Sequence, residues 1–498
     1  MAKTTYPTLT AAEAAALIHD GQTVGIGGFS SVGTPKAVPE ALSAQAQKMH
    51  AAGKPFRIGI ISGGATGAQV DSRLAEAHAV SFRTPFQSNK EMREAINHGE
   101  VAYYDLHLSH VAQDVRYGFL GKIDVAVIEA SGITDDGEWV LSTSVGITPT
   151  LAQCAERVII ELNDSHNGKL RGMHDLYTPA NPPCRTEIPV YHVHDRAGSP
   201  TLKIDPERVA GIVHTCQRDH IAAFTPPNDT TRQIGRNVAA FLQHEWQEGR
   251  IPSEFLPLQS GVGNIANAVL GALGEEKLPP FSMYTEVIQD SVVDLMLQER
   301  IRFATGSSLT LSEGQLDKMY AHADFFKSRI LLRPQEITNH PEMIRRLGVI
   351  AVNTALEADI FGNVNSTHVM GSRVMNGIGG SGDFARNAYL SIFTTPSTAK
   401  GGLISSIVPQ VAHIDSTEHD VRILVTEQGV ADLRGKSPAQ RARCIIEQCA
   451  HPDYKQLLWD YLRLSEGKSC HTPFSLRNAL KMHQAFEETG DMHNTRYE

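Results

Sequence analysis

The chain of 498 residues is 41% hydrophobic and 20% charged, with 41 Gly and 25 Pro; this globular composition excludes disorder, collagen and coiled coil. At roughly 150 residues per domain the length predicts two or three domains. A formal net charge of -10 argues against broad contact with nucleic acid or anionic membrane, both of which take clustered basic surface.

No apolar run reaches the ~18 residues of a membrane span, and Met1-Ala2-Lys3-Thr4-Thr5-Tyr6-Pro7 has no apolar stretch of the kind a secretory leader carries. Cys154, Cys184, Cys216, Cys444, Cys449 and Cys470 form no C-x-x-C pair. So few thiols in so long a chain suit a reduced compartment, and a cytoplasmic protein is expected.

In chain order, short β-branched runs at 23–29, 56–61, 123–130, 157–162 and 209–213 alternate with Gly-containing turns and amphipathic stretches. Residues 224–230 are turn-rich and hold two prolines. A helix is predicted at 231–247, stopped by Gly249 with Pro252 beyond it. The strand–turn–helix rhythm returns with runs at 282–285, 329–332, 349–352, 403–408 and 422–426. Continuous apolar runs of this length predict parallel strands buried on both faces, with ligand-binding loops at their C-terminal ends. The expected fold class is therefore α/β, with two open, mainly parallel-sheet domains at 1–228 and 229–498 and an active site between them. The polar stretch after Ser465 is expected to be a peripheral extension.

Several near-motifs fail on spacing. Gly429 and Gly435 enclose five residues, one more than a phosphate-binding loop takes. Gly28-Phe29-Ser30-Ser31-Val32-Gly33 has one residue too many for a nucleophile elbow. The pairs His107/His110 and His192/His194 fit no strong metal spacing, so no metal is expected.

Three Gly-rich segments remain. Gly261-Val262-Gly263-Asn264-Ile265-Ala266 matches G-x-G-x-x-A, with Glu286 in the acidic position 20 residues on, as in a dinucleotide fingerprint. The strand that should precede it contains Pro257, which cannot donate to a central ladder. A packing turn or another oxyanion cradle therefore competes with NAD binding. Residues 376–384 pack glycines around Ser381, a composition that permits left-handed backbone and unshielded N–H groups. Thr398-Ala399-Lys400-Gly401-Gly402 pairs a lysine with glycines and reads equally as a phosphate contact or a solvated hairpin tip. Glu286 ends the run at 281–285 just before an amphipathic segment starting near Gln289. A carboxylate at such a strand tip is expected to be kept ionised by the helix dipole and to be available as a nucleophile; an N-cap or ion-paired Glu reads the same way.

Taken together, Gln259 to Ala268, Tyr284-Thr285-Glu286-Val287-Ile288-Gln289-Asp290 and Asn376 to Phe384, with Gly27-Gly28-Phe29 and Gly33-Thr34-Pro35-Lys36, closely resemble the acetyl-CoA hydrolase/transferase family, and within it the succinate CoA-transferases. The resemblance runs from about Gly27 to about His451. It implies a homodimer of CoA-transferase domains acting on acyl-CoA and small carboxylates, with coenzyme A as substrate and covalent thioester and without NAD. It also implies Glu286 as the nucleophile, carrying CoA as a γ-glutamyl thioester, with the backbone N–H groups of Val262 and Gly380 as oxyanion donors. CoA contacts are implied at Gly261, Val262, Gly263, Asn264, Ile265, Asn376, Gly380 and Lys400. Asn339 and Glu427 match family positions near the nucleophile. Every nucleophile in such a cycle is already an anion, so the chemistry asks for neither general base nor metal. Hydrolysis of acyl-CoA on the same scaffold is the alternative.

Overall fold

The structure is a computed structural model that describes residues 6–166, 168–221, 226–466 and 471–498. Cys470 and the Phe224-Thr225 part of the expected linker lie outside the described residues. The chain packs as two compact units. One holds Met1–Ala223, Ser282–Leu347 and Asn376–Asp383; the other holds Phe224–Phe281, Gly348–Met375 and Phe384–Glu498. The first change of unit falls close to the expected division at residue 228. Ser282–Leu347, which includes Glu286, nevertheless packs with the N-terminal residues and not with the rest of the C-terminal half.

In the first unit the main sheet runs Ala102–Tyr103, Val80–Thr84, Ile58–Ser62, Thr23–Ile26, Val125–Ile133, Arg157–Asn163, Val209–Thr215. These pairs are parallel, and Trp139–Leu141 adds an antiparallel edge to Val125–Ile133. All five residues of Ile58–Ser62 are buried, as a strand covered on both faces requires. Helix Ala37–Ala51 covers one face, setting Val38, Leu42 and Ala46 against Ile26, Ile58 and Val127. Thr23–Ile26 ends in a turn made of Gly27 and Gly28; Gly28 has φ +102°, and a Cβ there would lie 2.3 Å from Thr34 Cγ2. The turn leads to Lys36, buried between Glu129 at 2.5 Å and Asp219 at 2.9 Å. Gly33-Thr34-Pro35-Lys36 thus anchors the unit internally. A second group of strands in this unit runs Ile330–Leu332, Ile301–Gly306, Phe281–Tyr284.

Val80–Thr84 and Ile301–Gly306 are among the strands of this unit that escaped the sequence reading. Val80–Thr84 contains Arg83, fully buried and paired with Asp71 at 2.8 Å, so its apolar pattern is broken by a charge that the fold satisfies internally. Ile301–Gly306 begins Ile-Arg-Phe, with Arg302 exposed.

In the second unit the order is Leu258–Ser260, Ile350–Thr354, Leu390–Thr394, Ile423–Thr426, Gly429–Asp432. The first four are parallel and the last is an antiparallel return. Helix Asp229–Gln247 forms as predicted, capped by the Asn228 side chain, which accepts from Thr231 N. The run at 403–408 is not one buried parallel strand. Ile404–Ser405 pairs antiparallel with Thr398–Ala399, whereas Ile407–Val408 pairs with Glu357–Asp359, because Ser405 and Ser406 break the apolar run between them. The segment beyond residue 465 is not peripheral either: Met482 and Met492 belong to the same core as Ile445, Tyr454 and Leu458, and His483 bonds Glu357 at 2.9 Å. Its polar composition hides a one-sided helix, Lys481–Thr489.

Among the described residues no helix is long and apolar enough to cross a membrane, and the five described cysteines are all free.

Candidate active site

Strand Phe281–Tyr284 delivers Glu286 to its C-terminal tip. Thr285 N donates to Thr305 O at 2.9 Å, and the Glu286 carbonyl accepts from Ser307 N at 2.7 Å and Ser308 N at 3.1 Å. Tyr284 Oη, fully buried, donates to Ile337 O at 2.7 Å. The backbone on both sides of Glu286 is thereby fixed.

Glu286 is 9% exposed. Its Oε1 accepts from Asn339 Nδ2 at 2.8 Å. Asn339 follows the short helix Gln335–Thr338, and its own Oδ1 accepts from Thr338 Oγ1 at 2.9 Å. Gly380 lies against the same carboxylate: a Cβ on it would fall 1.7 Å from Glu286 Oε1 and 2.3 Å from Asn339 Nδ2. No residue with a side chain fits there without displacing one of the two.

Burial pushes the Glu286 carboxyl up to about 7; the Asn339 hydrogen bond opposes this, and the charge of Asp383 adds to it. The expectation that a helix dipole keeps Glu286 ionised is therefore corrected. Helix Asp290–Leu297 begins only after Gln289, and desolvation outweighs anything it offers.

The Gly-rich loop is held from residues 103–109. Ile378 N donates to both Asp105 carboxylate oxygens at 3.0 Å. A Cβ at Gly377 would meet Tyr103 Oη at 2.3 Å, and one at Gly382 would meet His107 Cε1 at 2.5 Å. Gly379 alone needs its glycine for backbone reasons, at φ +58°. Asn376 Oδ1 is buried and has no hydrogen-bond partner among the described residues. An orphaned acceptor of this kind suits a residue expected to contact a ligand.

Asp383, at the end of the loop, was given no role in the sequence reading. It is buried, and it accepts from Ser109 Oγ at 2.6 Å, Ser109 N at 3.0 Å and Asn339 Nδ2 at 3.4 Å. Burial raises its carboxyl to about 6, with the Ser109 hydrogen bonds opposing. The one sequence signal for this pairing was an acid closing a glycine-rich loop.

The first unit thus brings together Glu286, Asn339 and Gly380 and also holds Asn376. The second holds Gly261 to Ile265, Lys400 and Glu427. There Gly261 N donates to Val352 O at 3.0 Å, and Gly263, at φ +119°, leads into helix Asn264–Glu275. Val262 is 53% exposed, a solvent-facing position open to a ligand. The objection from Pro257 does not hold. Leu258–Ser260 forms a fully buried parallel strand just after the proline, whose carbonyl accepts from Ile350 N at 2.9 Å. The proline sits just before the strand and contributes only that acceptor, so its missing N–H is not needed there.

Lys400 is exposed, with Nζ 4.9 Å from the centre of the Phe486 ring, a cation–π seat that still leaves the ammonium in reach of an anion. The Glu427 carboxylate accepts from Ser397 N at 2.9 Å, from Ser397 Oγ and from Gln428 Nε2 at 3.0 Å. Burial works to raise it, but these donors overcome burial and hold it below the usual carboxylate range.

Among the described residues, two groups of three donors have ligand atoms within 4.8 Å of one another: His192, His194 and Asp195, and Glu129, His166 and Asp219. In the second group the Lys36 ammonium already serves as the cation. The first was invisible to spacing because Asp195 joins it only by folding back to accept from the amides of Tyr191 and His192.

The sequence matches the model of the acetyl-CoA hydrolase/transferase N-terminal domain over residues 2–214 and that of the C-terminal domain over 316–462. It is 49% identical to the propanoyl-CoA:succinate CoA transferase of Escherichia coli K12, over 98% of this chain and 99% of that protein. It is 47% identical to the succinyl-CoA:acetate CoA-transferase of Clostridium kluyveri, over 97% and 90%. Identity to the acetyl-CoA hydrolase of Schizosaccharomyces pombe is 44%, over 95% and 93%. In fold, the structure resembles RipA from Yersinia pestis, with TM-score 0.71 and 23% identity over 91% of this chain and 96% of that one. It also resembles a 4-hydroxybutyrate CoA-transferase from Porphyromonas gingivalis, with TM-score 0.63 and 23% identity over 92% and 97%.

Proposed function

Because the chain belongs to the acetyl-CoA hydrolase/transferase family, we propose that it moves coenzyme A between small carboxylic acids, with succinyl-CoA and acetate or propionate as the pairs, through a thioester on Glu286. The observation that carries this reading is a nearly dry carboxylate at a strand tip, pressed by the Gly380 backbone and touched by one neutral donor, Asn339. In water a carboxylate is too well solvated to attack a thioester readily; here desolvation raises its basicity while a fraction remains ionised at neutral pH.

In the proposed cycle Glu286 attacks the acyl-CoA carbonyl, and the tetrahedral oxyanion is met by backbone N–H donors from Gly380 and Val262. Each such donor can lower the barrier by about 3 kcal/mol. Collapse gives a mixed anhydride and CoA thiolate. The thiolate attacks the Glu286 carbonyl, releasing the first acid and leaving CoA on the enzyme. A second carboxylate attacks the thioester, and the same two steps in reverse yield the new acyl-CoA and free Glu286. CoA contacts at Gly261 to Ile265, Asn376 and Lys400 supply binding energy far from the reacting centre, which can be used to orient it. Glu427, held by Ser397, is assigned a position near the nucleophile. A homodimer, a cytoplasmic location and family domains divided near residue 228 belong to the same reading.

Relatives named for acetyl-CoA hydrolysis at 44% identity favour a second reading in which water resolves the thioester. Succinyl-CoA consumption measured with and without acetate, propionate or butyrate separates the two. Transfer predicts acceptor-dependent formation of the new acyl-CoA; loss of succinyl-CoA at one rate regardless of acceptor would leave hydrolysis.

A further inference from the structure

We propose that Asp383, clamped by Ser109, is a positioning residue that aims the Asn339 carboxamide at Glu286 and sets a negative charge behind it. The proposal rests on the reading of Glu286 as the nucleophile.

The argument begins with the amide. Asn339 has one acceptor and two N–H donors. Its Oδ1 is engaged by Thr338 Oγ1 at 2.9 Å, which turns Nδ2 toward the two carboxylates, 2.8 Å from Glu286 and 3.4 Å from Asp383. A flipped amide would bring its carbonyl oxygen against both acids at once, so their ionised forms favour the one orientation. Asp383 is itself held by Ser109, through both hydroxyl and amide.

The charge acts on the chemistry in one direction. While Glu286 is a free carboxylate, Asp383 repels it across the shared amide. Once Glu286 becomes an anhydride or thioester it is neutral, and that repulsion is gone. Asp383 therefore raises the free nucleophile relative to every acylated state, in keeping with the upward push it exerts on the Glu286 carboxyl. The other titratable groups facing Asp383 are His107, whose Nδ1 lies 3.8 Å from Asp383 Oδ1, and His110 on helix Leu108–Arg116.

Two substitutions separate charge from geometry. In Asp383→Asn the amide oxygen can take the place of Oδ2, facing Ser109 N and Asn339, while the new NH2 donates to Ser109 Oγ. The hydrogen bonds to Ser109 and Asn339 survive and the charge is lost. Asp383→Ala loses both. The readout is the rate at which the protein gains CoA from succinyl-CoA alone, followed by intact mass across a pH series, with the thermal midpoint recorded for each variant.

Asp383→Asn is expected to move the acid limb of the profile to lower pH, because Glu286 ionises more readily without a like charge beside it, and to lower the plateau by less than the Ala variant does, because the nucleophile is no longer raised but its aim is kept. Asp383→Ala is expected to lower the plateau by roughly 10–100-fold, the scale on which a misaimed group slows reaction. A purely structural role would change the thermal midpoint and leave the limb in place. An unmoved limb in Asp383→Asn overturns the inference even if the Ala variant fails to fold, and so does a wild-type plateau in Asp383→Ala. If the wild-type protein gains no CoA, the reading of Glu286 fails first; a wild-type adduct with an unmoved Asn-variant profile removes only the role of Asp383.

Discussion

Replacing Glu286 by Gln removes a charge that the fold keeps out of water, and it should make the protein more stable while ending its chemistry. The gap between the ordinary carboxyl value of 4.5 and about 7, at about 1.4 kcal/mol per pH unit, puts the cost of the ionised form at about 3 kcal/mol. The sign follows from proton binding. Below pH 4.5 the carboxyl is protonated in both folded and unfolded chains and costs nothing. As pH rises toward 7 the unfolded chain ionises and the folded one resists, so wild-type stability falls; above about 7 the penalty is constant. Gln does not titrate, and its Oε1 can still accept from Asn339. The advantage of Glu286→Gln should therefore stay under about 1 kcal/mol at pH 5 and reach about 3 kcal/mol at pH 8. Thermal unfolding of the two proteins at both pH values measures it, and at about 2–4 °C per kcal/mol for a domain-sized unit the pH 8 gain is several degrees. A gap of equal size at pH 5 and pH 8, or a variant less stable than wild type at pH 8, would refute the argument that burial dominates this carboxyl.

Gly380→Ala places a methyl 1.7 Å from Glu286 Oε1, and overpacking on this scale costs about 1–3 kcal/mol. We expect a folded protein with CoA transfer reduced at least ~100-fold, since the displaced group is the nucleophile itself; initial rates and circular dichroism check both halves. Asn339→Ala removes the donor that holds the Glu286 carboxyl down. The acid limb of the rate profile should move to higher pH, opposite to Asp383→Asn, and a steady-state pH series decides it. Lys36→Met strands the buried Glu129 and Asp219 without their cation, a loss of about 3–5 kcal/mol; denaturant unfolding should show it whether or not acyl-CoA is present.

Much of the site was legible because glycine and carboxylate positions announce themselves locally. The loop at 376–384 stood out by its glycines, although at Gly380 the constraint is the Glu286 carboxylate beside it and left-handed backbone is needed at Gly379; Glu286 does sit at the tip of Phe281–Tyr284. What stayed hidden depends on distance in sequence. The clamp of Ser109 on Asp383 joins residues 274 positions apart, and although Asp383 closes a glycine-rich loop, nothing near Ser109 marks it as the partner. The degree of burial of Glu286, which overturns the expected ionisation, comes from packing by residues near 339 and 380 and not from its own segment. Within the fold, the runs at 23–29, 157–162 and 422–426 were found because they are uninterrupted. Val80–Thr84 was missed because Arg83 breaks its pattern and Asp71 repairs the break only in three dimensions. Pro257 misled in the opposite direction, since a parallel strand beginning one residue later needs only its carbonyl.

The most direct test is to mix the protein with succinyl-CoA and no acceptor, then digest it and weigh the peptides. The account predicts a gain equal to CoA less one water on the peptide containing Glu286, lost on adding acetate or propionate and absent in Glu286→Gln. Turnover without any such adduct, or an adduct carried by another residue, would contradict it.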